Sequence, residues 1–139
     1  MDTSETYIKM CEKAEEIQEQ ARTNGIEYGD YIYVTATNDF VRYTGEVELV
    51  RGEKGYKYAP FGVIFIPRQD QLQEMVGDWE KQIEILDDWL GNAYDPPSFK
   101  GNYWCINNLT SMEQLWLAFV MKEKYNKVWT NNEWRNGSE

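Results

Sequence analysis

The chain contains no histidine. That absence removes imidazole general acid–base catalysis, hydrolytic triads in their usual form and most transition-metal sites. Cysteine is scarce: Cys11 and Cys105 are distant and show no CxxC spacing, so both thiols are expected to be reduced and unpaired. Neither GxxxxGK[ST] nor GxGxxG occurs, and Gly52-Glu53-Lys54-Gly55 is a Gly-bounded turn without the strand–loop–helix setting of a phosphate cradle. No apolar run approaches the roughly 20 residues of a membrane span. The opening MDTSETYIKM has neither the basic nor the apolar region of a signal peptide, so a cytoplasmic location is expected. Positive charge is also short. With 14 basic against 24 acidic residues the net charge is −10, which argues against a chain that neutralises nucleic-acid phosphates or attaches to anionic membranes.

What is present is enough for one domain spanning residues 1–139. At 42% hydrophobic and 15% aromatic, a chain of 139 residues can bury a proper core. Six Trp and ten Tyr are the distinctive part, because large amphipathic rings fill cores and also anchor interfaces. The acids are concentrated. Residues 1–27 carry seven against three bases, and residues 68–99 carry eight against two.

Hydrophobic spacing predicts a helix over residues 3–23, with Tyr7, Met10, Cys11, Ala14, Ile17 and Ala21 at intervals of three and four, closed by Asn24-Gly25. Residues 30–66 change to a period of two. DYIYVTAT, GEVELVRG and APFGVIFIP read as short antiparallel strands, and GVIFI, apolar on both faces, is the expected central one. A second helix is predicted over residues 68–90. Its stripe is Leu72, Met75, Val76, Trp79, Ile83, Leu86 and Leu90, and Gly77 lies on its outer side. GNAYDPPSFKGN reads as a loop and YWCI as one more short strand. A third helix starts at one of two capping boxes, Thr110 with Glu113 or Ser111 with Gln114, and VWTNNEW reads as a hairpin around Asn131-Asn132. The expected fold is α+β: an N-terminal helix, an antiparallel sheet of about three to five short strands, two further helices and a C-terminal hairpin.

The third helix is apolar over residues 115–121 without a break. Met112, Leu115, Trp116 and Phe119 share one side; Leu117 and Met121 lie nearly opposite, beside Ala118 and Tyr125. Either the helix is sandwiched within the fold, or Leu117, Met121 and Tyr125 form an open face that meets a partner. Ile85 and Trp89, off the main stripe of the second helix, raise the same alternative. Glu84, Asp87 and Asp88 stand at helical spacings that could ligate Mg²⁺ or Ca²⁺ through oxygen, though on an exposed helix in a segment with only two bases a solvated surface is the preferred reading. No cofactor is expected.

Three phrases, YIKMCEKAEEIQ, IPRQDQLQEMV and TSMEQLWLAFVMKEKYNKVW with a downstream EW, together resemble a family of small proteins encoded by phages and prophages of Firmicutes-type bacteria. The resemblance implies a location in the cytoplasm of a bacterial host and carries no catalytic residues. The leading functional expectation is a non-catalytic accessory protein that binds another protein, with or without self-association, and has Leu117, Met121, Tyr125, Ile85 and Trp89 as apolar contacts. The alternative is an inhibitor whose acids Glu80, Glu84, Asp87 and Asp88 imitate nucleic acid and occupy a basic groove on a host defence or DNA-handling protein. A carboxylate-dependent metal enzyme is the third class.

Overall fold

A computed structural model describes residues 1–35, 37–43, 62–93 and 109–137, with Trp79 and residues 88–93 described by their backbone alone. The fold is α+β: N-terminal helices, a three-stranded antiparallel sheet, further helices and a C-terminal β-hairpin. Residues 3–68 form one unit; residues 1–2 and 69–139 form another.

In the first unit, Ser4 caps α1 (Glu5–Lys13) by accepting from the Tyr7 amide at 3.2 Å. Most of the predicted stripe is buried: Tyr7, Met10, Cys11, Ala14 and Ile17 have no exposed surface, and Ala21 is half-buried. The helix is not continuous, however. It breaks at Ala14 (ψ 75°), whose amide donates to both the Met10 and Cys11 carbonyls, and resumes as α2 (Glu15–Asn24). Gln18 compensates the break by donating its amide Nε2 to the Cys11 carbonyl at 2.9 Å. Gly25, at φ +82°, closes α2 where an L side chain would be strained.

The sheet runs β2–β1–β3, with β1 (Tyr31–Val34) in the centre, β2 (Asp39–Arg42) on one side and β3 (Val63–Ile66) on the other. Two expectations are corrected. Residues 39–42, which the sequence reading assigns to no strand, form β2: Asn38, at φ +57°, lies in the turn that separates it from β1, and Asp39 already pairs with Val34. GVIFI is not central among the described strands. Its two-faced apolarity has another cause, since α1 and α2 both pack against β3. Gln18 also completes the outer edge of β3, donating to the Phe65 carbonyl and accepting from the Phe65 amide, each at 2.9 Å. Tyr7 adds a hydrogen bond from its hydroxyl to the Pro67 carbonyl at 2.7 Å. GEVELVRG, the turn at Gly52 and Gly55, YWCI with Cys105, and the loop after Ala93 lie outside the described residues.

In the second unit the predicted helix over residues 68–90 is two helices, α3 (Gln69–Met75) and α4 (Trp79–Ala93). Gly77, at φ +90°, breaks it. Asp78 restarts it, its carboxylate accepting from the Glu80 amide at 3.1 Å. The next helix, α5 (Met112–Tyr125), starts at Ser111, whose Oγ accepts from the Gln114 amide. Gln114 turns back to Thr110 rather than to Ser111, and Asp2 accepts from both Ser111 Oγ (2.5 Å) and Gln114 Nε2 (2.7 Å). Asn126 ends α5 in the left-handed region, and β4 (Lys127–Thr130) and β5 (Glu133–Asn136) follow. Asn131 and Asn132 both have positive φ, the geometry of the tight turn that matches strand twist. Trp129 pairs across the hairpin with Trp134 at 5.1 Å between ring centroids.

Candidate functional site

The break at Gly77 determines what α4 exposes. It resets the helical phase, so the stripe read across residues 68–90 does not continue into the new helix. Leu72 is fully buried on α3, but Ile83 on α4 is 55% exposed, and the buried position is Gln82. Gln82 donates its side-chain amide to the Gly77 carbonyl, which couples the buried polar group to the break itself. Leu86, one turn on, is half-buried on the same side as Gln82.

Glu80, Ile83, Glu84 and Asp87 stand at i, i+3, i+4 and i+7, and all four are exposed. At about 100° per residue they occupy one outer face of the helix. Glu80, Glu84 and Asp87 make no ion pair with another described residue. Ile85, 41% exposed, projects from the opposite flank. Three of the four predicted acids are therefore together on one surface. The side chains of Asp88 and Trp89 lie outside the description. Ile83 is the residue that sequence reasoning placed wrongly; Gly77 was the available signal, because a residue at positive φ ends one helical phase and begins another.

The open-face reading of α5 is corrected. Leu117 and Met121 have no exposed surface, and residues 116–121 are buried without interruption. The physical reason is that α5 is enclosed: α3 and β4 both pack against it within its own unit. Tyr125, half-buried at the end of the helix, lies below Lys124 Nζ at 5.7 Å from the ring centroid. Met112, expected on a packed side, is 50% exposed in the first turn. Trp116 stacks edge-on against Phe119, and its buried indole Nε1 has no hydrogen-bond partner among the described residues.

On the sheet, Tyr31 and Phe40 are half-buried with centroids 5.5 Å apart, and Tyr33 donates its hydroxyl to the Asn38 side chain. Beside them, Asp30 is held by Arg68 at 3.4 Å and accepts from the Glu27 amide, a buried carboxylate occupied in fastening a turn. Among the described residues, no three His, Cys, Asp or Glu side chains converge on a metal-sized site, and no helix is long and apolar enough to cross a membrane. No protein-family model, curated protein or solved structure matches the chain.

Proposed function

We propose that the chain is a non-catalytic phage or prophage accessory protein of the bacterial cytoplasm, which acts by binding another protein through the outer face of α4. The observation that carries this reading is Ile83, more than half exposed and surrounded by carboxylates that no cation neutralises among the described residues. An aliphatic side chain held on a helix exterior gains free energy when a partner covers it. The resemblance of three phrases to phage and prophage proteins supplies the setting, and the lack of histidine weighs against catalysis.

The test is a photo-crosslinker placed at position 83, with a second chain carrying it at the exposed Glu12 of α1 as control. Incubated in host lysate, the first chain is expected to give a discrete protein adduct that excess unlabelled protein competes away; the second is not. Absence of a position-specific adduct would remove the reading. Self-association is measured separately by size exclusion with light scattering, where a strict monomer across a wide concentration range removes that part.

One observation favours a second reading. The exposed acids Glu80, Glu84 and Asp87 share a face, as the charges of an inhibitor occupying a basic, nucleic-acid-binding groove must. Such a complex weakens steeply with rising ionic strength, and combined E80Q, E84Q, D87N and D88N replacement abolishes it. Salt-independent binding would exclude it.

A further inference from the structure

Resting on the protein-binding reading above, we infer that the outer face of α4 takes a basic amphipathic segment of another protein, one that presents aliphatic side chains bordered by lysine or arginine. A lone exposed isoleucine is ordinary. What singles out Ile83 is its surroundings, with Glu80 three residues before it, Glu84 next to it and Asp87 four residues after, all exposed. Removing Ile83 from water requires an apolar surface opposite. The same approach brings three carboxylates out of bulk solvent, which is unfavourable unless cations meet them. Both requirements are met together only by a surface that is apolar at its centre and cationic around it.

Charge decides between occupants. A second copy presenting the same face would set three carboxylates against three, and nucleic acid would bring phosphates, so both are repelled. A purely cationic strand satisfies the acids but leaves Ile83 uncovered. The basic residue of α4, Lys81, falls on the flank shared with Ile85 and away from the acidic face. Glu80, Glu84 and Asp87 make no ion pair among the described residues, so a cationic partner displaces no internal contact there.

The probe is a fluorescent peptide with leucine and lysine at helical spacing, compared by anisotropy with an oligolysine of equal charge, using the full chain throughout. The leucine–lysine peptide is expected to bind more tightly. Ile83→Ser should weaken it by about tenfold, the ratio that one buried aliphatic side chain represents, while leaving oligolysine unchanged. Combined E80Q, E84Q and D87N replacement should weaken both peptides and flatten the salt dependence. An equal charge removed elsewhere, by E5Q, E12Q and E15Q on exposed positions of α1 and α2, should weaken them far less. The substituted side chains are solvent-facing, and far-UV circular dichroism verifies each variant's fold.

Equal binding of the two peptides, an unaffected Ile83→Ser variant, or the same loss from the α1 and α2 control would each overturn the inference. So would a dimer, seen by light scattering, that Ile83→Ser dissolves, because the face would then belong to a second copy. A position-83 protein adduct obtained alongside failure here would leave the protein-binding reading standing and refute only the partner's chemistry.

Discussion

Gln18 makes three buried hydrogen bonds with one side chain, to the Cys11 carbonyl and to both the amide and the carbonyl of Phe65. Each backbone group it serves is buried, so removal strands the Phe65 amide and carbonyl, while the Cys11 carbonyl keeps the Ala14 amide. A buried polar group abandoned in this way costs about 1–3 kcal/mol. Gln18→Ala is therefore expected to lower stability by about 2–4 kcal/mol, combining lost bonds with a small cavity. Urea denaturation should show a lower midpoint with an unchanged slope. Gln18→Met, which restores volume but not hydrogen bonding, should recover only a small part. A loss under about 0.5 kcal/mol, the range of an ordinary surface change, would mean that the Phe65 edge finds other partners.

At the scale of elements, two positive-φ positions have opposite chemistry. Gly77 holds φ +90° with nothing within 4 Å of where a Cβ would stand, so a substitution there meets backbone strain rather than a clash. Gly77→Ala should destabilise by about 1–2 kcal/mol, read as a lower thermal midpoint. Asn132, at φ +62° in the hairpin turn, is the reverse case. Asn132→Gly should stabilise by up to about 1 kcal/mol, because Asn-Gly suits this turn better than Asn-Asn. These elements also show what the sequence made legible. The apolar spacing of Tyr7, Met10, Cys11, Ala14 and Ile17 identified the core of the N-terminal helices, and Asn131-Asn132 announced the hairpin. The break at Gly77 had its signal in the glycine itself, whereas the break at Ala14 was hidden, because alanine is an ordinary helix former and the bond from Gln18 to the Cys11 carbonyl belongs to no capping pattern. The location of β3 was obscured for another reason, since cover by helices makes a strand that is outermost among the described ones read like an interior one. At the candidate site, the clustering of Glu80, Glu84 and Asp87 was legible as helical spacing. The exposure of Ile83 was not, since it follows from the phase reset.

At the scale of the whole molecule, a net charge of −10 on 139 residues makes like-charge repulsion a general term opposing the compact state. The carboxylates of the α4 face are exposed and without ion pairs among the described residues, so salt relieves repulsion there without breaking compensating bonds. The thermal midpoint is expected to rise between about 10 mM and 150 mM NaCl as the screening length shortens from roughly 30 Å to 8 Å. A falling midpoint would mean that attractive pairs outweigh repulsive ones. Calorimetry over that range distinguishes the two.

At Phe65 the border of β3 that faces no described strand is met by the Gln18 amide where another protein would use a strand. Such a border, once bared, is a template on which extended chains stack from molecule to molecule. Gln18 thus acts as a stopper: the atoms that hold the helix to the sheet fill the positions at Phe65 that an added strand would need.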